Sequence, residues 1–140
     1  MNTTPTSAVT SVMPSQLPAG PAERTVYSYG VRAGDDLHIS GMVAFDSEAN
    51  IVGEGDIEAQ TEQVFRNLQA VVEEAGGTIN DIVSTTTYLT NVADAPVISA
   101  ARARYFTGAV LPTHTVIGVA ALARPQFLLE ISAVAYLGPR

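Results

Sequence analysis

The chain has 140 residues, 46% of them hydrophobic and 15% charged, which fits one compact soluble domain at roughly 100–200 residues per domain and excludes a two-domain machine. It has no cysteine, so thiol nucleophiles, redox pairs and thiolate metal sites are excluded, and a reducing compartment, by default the cytoplasm, is the simpler expectation. Fourteen acids against seven arginines and no lysine give a charge of −7, which excludes lysine Schiff-base chemistry and argues against a nucleic-acid partner.

Residues Met1 to Ala22 are rich in Thr, Ser and Pro and carry no charge, so they read as a flexible arm, with the folded domain expected over residues 25–140 and the arm over residues 1–24. The arm lacks both the basic start and apolar core of a secretory signal and the arginines of a mitochondrial presequence. No apolar stretch approaches the roughly 20 residues that cross a bilayer, so no membrane partner is expected.

From Thr25 the pattern is strand-like. Val26, Tyr27, Tyr29 and Val31 lead to a turn at Gly34-Asp35-Asp36, after which Leu37, Ile39, Gly41 and Val43 alternate as the second arm of a hairpin. Asp46 to Asn50 reads as a turn before a short Ile51-Val52 segment. Asp56 caps a helix in which Val64, Leu68, Val71, Val72 and Ala75 recur at steps of three and four, with Gly76-Gly77 as its stop. Ile82 to Thr90 is dense in β-branched residues and reads as a strand. Asp94, with Pro96 just inside, opens a second helix toward Phe106, which Gly108 closes. Strands over Thr115 to Ala121 and Phe127 to Leu137 complete a β-β-α-β-α-β-β order. That order favours a mixed sheet with both helices on one face, and the uncovered face favours a closed symmetric oligomer.

No phosphate loop and no metal-ligand spacing appears; Gly53-Glu54-Gly55 reads as a turn. Chemistry therefore falls to a few side chains. His38 sits inside a strand and reads as a surface or interface residue. His114 follows Leu111-Pro112-Thr113 at a loop-to-strand junction, where a side chain can project into a cleft. Glu130 interrupts the apolar run Phe127 to Val134; a carboxylate there is either on a solvated face or held by specific donors. Tyr88, Tyr105 and Tyr136 read as packing residues, Arg102 and Arg104 as a solvated helix face, and Glu58, Glu62, Glu73 and Glu74 as exposed helix charges.

The runs Tyr29-Gly30-Val31, Ile39-Ser40-Gly41, Gln60 to Leu68, Glu74 to Gly77, Asp81 to Leu89, Leu111 to Val116 and Leu129 to Ala135 together resemble the Rid family, also called YjgF, in order over about residues 25 to 137. The resemblance implies a chorismate-mutase-like α+β subunit assembled as a homotrimer, with clefts between neighbouring chains. It also implies cofactor-free hydrolysis of reactive enamines and imines to 2-oxo acids and ammonia. The family's cleft tyrosine falls on Tyr27, its serine on Ser40 beside Gly41, its late-strand glutamate on Glu130, and a position often held by asparagine on Ser99. The backbone near Val116 and Ile117 is expected to bind polar substrate atoms. His114 stands where the deaminating members carry arginine.

Arginine grips a carboxylate with a planar, permanently charged fork that imidazole does not copy. A Glu130 carboxylate within a few ångströms would favour the imidazolium and orient its ring, giving a proton-transfer pair instead of a clamp. The expectation is thus a divergent Rid enzyme in which His114 and Glu130 move protons on a small enamine, imine or related conjugated substrate. The alternative is a non-catalytic trimeric small-molecule-binding or protective protein. An ordinary deaminase whose grip comes from Arg104 or Arg124 ranks lowest, because those residues show no evident aim at the cleft. The loop from Ala121 to Gln126 is about one residue longer than the family pattern and is a candidate wall of the cleft mouth.

Overall fold

A computed structural model describes residues 8–19 and 26–139. Its sheet contains strands β1 (Val9–Val12), β2 (Gly30–Ala33), β3 (Asp36–Met42), β4 (Ile82–Leu89), β5 (Thr113–Gly118) and β6 (Leu129–Tyr136) in the order β1-β2-β3-β6-β4-β5. Among the described strands only β4 and β5 run parallel, joined by the crossover helix α2 (Ala95–Tyr105). Helix α1 (Ile57–Glu74) lies beside α2 on the same side of the sheet. The fold is the expected α+β mixed sheet with two helices.

Local chemistry accounts for the secure elements. Asp56 caps α1, its carboxylate accepting from the amides of Glu58 and Ala59, both at 3.1 Å. At the other end Gly76 adopts a φ of 93°, a left-handed conformation that glycine takes without strain, and the amides of Gly76 and Gly77 close the last turn on Glu73 and Val72. The apolar stripe of α1, Val64, Phe65, Leu68, Val71 and Val72, packs on Leu37, Ile39, Leu129 and Ile131 of the sheet. Strand β6 alternates strictly: Leu129, Ile131, Ala133 and Ala135 are buried toward the helices, while Glu130, Ser132 and Val134 face the other way and are half-buried.

The arm is the main correction. Val9–Val12 form an edge strand antiparallel to β2, with Val9 opposite Ala33 and Val12 opposite Gly30. Leu17 is 2% exposed within the core, and the Tyr29 hydroxyl donates to the Pro18 carbonyl at 2.7 Å. Lack of charge pointed to disorder, but Val12 and Leu17 supply apolar anchors and β2 offers a free edge to pair with. The remainder of the expected arm, residues 1–7 and 20–24, lies outside the described residues.

Other boundaries move by a few residues. The first hairpin arm begins at Gly30, because the Ser28 carbonyl is taken by the Ser40 hydroxyl at 2.6 Å and not by a ladder amide. The segment at Ile51 contributes only a single bridge to Phe45. Strand β5 starts at Thr113, in register with Ser84 of β4, and ends at Gly118 opposite Leu89.

Candidate active-site cleft

Strand β3 shifts register against β6 between Ile39 and Met42, at Ser40-Gly41. The irregularity turns Gly41 toward Glu130, and a Cβ on Gly41 would overlap the Glu130 carboxylate. The missing side chain of Gly41 is the space that the carboxylate occupies. Around the pair opens a cleft of about 530 Å³, walled by Tyr27, Tyr29, Phe45 and Phe127, with Arg124 also on its lining. That volume suits a small molecule. The rings of Tyr27 and Tyr29 meet edge to face at 5.9 Å.

Burial holds the Glu130 carboxyl above the usual carboxylate range. No described residue forms an ion pair with it. It is therefore a carboxyl in a largely apolar cleft that gives up its proton reluctantly, a property suited to general acid work.

His114 is elsewhere. In the sheet register it stands opposite Thr85, which stands opposite Ala133, on the helix-facing side; Glu130 stands opposite Tyr88 and Ile117, on the other side. Three residues along the strands and two strands across correspond to a Cα separation of roughly 14 Å from ordinary sheet spacings. The expected convergence of imidazole and carboxylate is therefore not made within one chain, since alternation sends the two side chains to opposite faces.

The charged neighbour of His114 is Arg102. Burial first, and the Arg102 guanidinium second, hold the imidazole below its ordinary pKa. Arg102 is not on a solvated helix face as expected. It donates to the Thr85 hydroxyl at 2.7 Å and the Pro112 carbonyl at 3.3 Å, and its guanidinium lies 4.9 Å from the Phe106 ring centre. It ties α2 to β4 and to the entry of β5. Arg104 keeps the expected exposure and reaches Glu62 at 3.5 Å.

The remaining expected site residues divide. Tyr27, Gly41 and Glu130 share the cleft. The Ser40 hydroxyl is half-buried and engaged with the Ser28 carbonyl. Ser99 is exposed on α2, in the helix layer, and does not line the cleft. Val116 and Ile117 lie on β5, an edge strand of the sheet, 39% and 41% exposed, with Ile117 on the face that carries Glu130.

Gln60 is what residue-by-residue reasoning missed, and Arg124, ranked lowest there, lies on the cleft lining. Gln60 is fully buried and bridges two loops: its amide donates to the carbonyls of Gly53 at 3.1 Å and Gln126 at 2.9 Å, and its oxygen accepts from the Leu128 amide at 2.9 Å. It thereby anchors the loop that carries Arg124 onto the cleft. The available signal was a glutamine at the start of an amphipathic helix, on the inward side. No group of His, Cys, Asp and Glu among the described residues could hold a metal ion, and no described helix is long and apolar enough to cross a membrane.

Comparison with known proteins bears on the family and the fold. The chain is similar to a RutC family protein of Pyrococcus horikoshii, 35% identical over 119 residues that cover 85% of this chain and 89% of that protein. A RutC family protein of Synechocystis is 35% identical over 123 residues, covering 87% and 94%. Its fold is similar to the crystal structure of the Rid family protein YyfA from Yersinia pestis, with a TM-score of 0.83, 29% identity and coverage of 91% of this chain and 98% of that one. RidA from an Antarctic Psychrobacter gives 0.80, 30%, 91% and 98%. Residues 18–137 match the family described as endoribonuclease L-PSP. The chain thus belongs to this family, that of the Rid and RutC proteins.

Proposed function

We propose that the protein is a divergent Rid enzyme that acts on a small enamine, imine or related conjugated compound, without a cofactor, in the cleft at Glu130. One observation carries the reading: a carboxyl with a raised proton affinity sits in an aromatic-walled cleft, in the space left by Gly41. In hydrolysis, Glu130 protonates the imine nitrogen as water adds to the C=N carbon, and one proton of the added water passes to the amine nitrogen. Glu130 then takes back the remaining hydroxyl proton as the C–N bond breaks, so that ammonia leaves and a carbonyl remains. Proton transfer along a conjugated system would use the same group.

The uncovered sheet face, with Ser84, Thr86 and Ser132 half-buried upon it, supports assembly as a homotrimer. In such an assembly His114 would serve the cleft of a neighbouring copy, from edge strand β5. The family description names an endoribonuclease, but a charge of −7 with no lysine, and a cleft whose described lining residues include one cation, favour a small molecule over RNA. The second reading, a trimeric binding or protective protein without catalysis, draws on the position of His114 away from Glu130 within the chain.

Ammonia release from a 2-imino acid generated in place by an amino-acid oxidase tests the proposal. Glu130→Gln is expected to lower kcat by 10²-fold or more with the oligomer unchanged, as loss of a general acid does. A pH profile with an inflection set by Glu130 separates catalysis from simple binding. Absence of turnover in the native protein removes the enzymatic reading, and full turnover in Glu130→Gln removes the role of Glu130. His114→Ala with unchanged turnover removes only the role of His114.

A further inference from the structure

Arg124 ranked last among candidate ligand-binding groups because a loop position has no evident aim. The fold supplies that aim. The segment between β5 and β6 turns at Arg124, where the Phe127 amide donates to the Arg124 carbonyl at 3.2 Å. It is then pinned at Gln126 and Leu128 by the buried Gln60 amide, and at Leu128 again by the Thr90 amide at 3.2 Å. An exposed arginine on a loop with buried anchors keeps its position while leaving its guanidinium free for a ligand. No ion pair involving Arg124 occurs among the described residues. Among the described residues it is also the one cation on the cleft lining, which is otherwise aromatic, aliphatic and acidic.

We infer that Arg124 is the specificity-determining residue of the cleft, holding a carboxylate of the substrate in place of the arginine absent from β5. Gln60 is the positioning residue that keeps it there. The inference rests on the reading of this cleft as a site for a small conjugated compound, and it assigns the carboxylate of that compound to Arg124. Its planar body would lie among Tyr27, Tyr29, Phe45 and Phe127. Its anionic end would take the fork of Arg124, which leaves the opposite, reactive end for Glu130. Guanidinium geometry suits the task, since two parallel N–H groups match the two oxygens of a carboxylate.

The test is direct binding, measured by calorimetry at pH 7.5, of hexa-2,4-dienoate and its uncharged amide, two planar conjugated probes that differ in charge. The native protein is expected to prefer the anion by about tenfold or more, the range of a hydrogen bond to a charged group. Arg124→Gln is expected to erase that preference while leaving affinity for the amide within about twofold, and Arg104→Gln, at an exposed arginine of α2 outside the cleft, is expected to keep it. A preference that survives in Arg124→Gln, or disappears in Arg104→Gln, overturns the inference. So does a native protein that binds neither probe or both equally. The ammonia-release assay on the same samples keeps the two proposals apart: turnover without anion preference overturns the role of Arg124 alone, and anion preference without turnover overturns the enzymatic reading alone.

Discussion

Gly41 and Glu130 are shaped to each other: the Glu130 carboxylate occupies the volume in which any side chain at position 41 would begin. The carboxylate is the flexible end of its side chain, so a methyl group at position 41 displaces it and leaves the sheet standing. Gly41→Ala is therefore expected to fold with native stability to within about 1 kcal/mol. Its turnover should fall by about 10²-fold, the usual consequence of moving a reacting group by an ångström. Paired measurement of urea midpoint and ammonia release checks this, and native turnover in Gly41→Ala would show that the contact has no part in the chemistry.

Glu130 also predicts a dependence of stability on pH. Its pKa is raised in the folded chain, so the folded state binds more protons than the unfolded state in the window just above 4.5. Stability from this group is therefore present below that window and is lost as pH rises through the folded-state value. Glu130→Gln removes the effect. The variant's urea midpoint should exceed the native one at pH 7, and the difference should shrink toward pH 4. Half-burial keeps the magnitude below about 1 kcal/mol. A difference that grows on acidification contradicts the assigned direction.

The sign is opposite for His114. Burial and then Arg102 lower its pKa, so in the window just below 6.5 the unfolded chain binds the extra proton and stability is lost as pH falls through that window. The ring is expected to titrate below 6.5 by NMR, and Arg102→Met to move the midpoint upward, though not fully, since burial is the larger cause. A native midpoint above 6.5 would mean that a carboxylate, and not Arg102, controls the imidazole.

The packing of Leu17 makes residues 8–19 part of the folded unit. Leu17→Ala is expected to cost about 2–5 kcal/mol, the ordinary range for a leucine removed from a core. Chemical denaturation measures it. A cost under about 0.5 kcal/mol would indicate that this segment behaves as the loose arm its composition suggests.

The sequence alone determined what depends on neighbours in the chain. The Asp56 cap, the three-and-four spacing of Val64, Leu68 and Val71, the Gly76 stop and the alternation of β6 all follow from backbone geometry within a few residues, and each is found close to where its pattern places it. Alternation likewise sets Glu130 apart from Leu129 and Ile131. What only the tertiary structure decided is long-range. Register across β4 determines that His114 and Glu130 face opposite ways, and the edge offered by β2 turns an uncharged segment into a strand. Gln60 bonds to Leu128, 68 positions away, to hold the loop of Arg124. Such pairings are selected by the whole packed sheet, because a strand's pattern defines two faces and leaves to its partners what each face will meet.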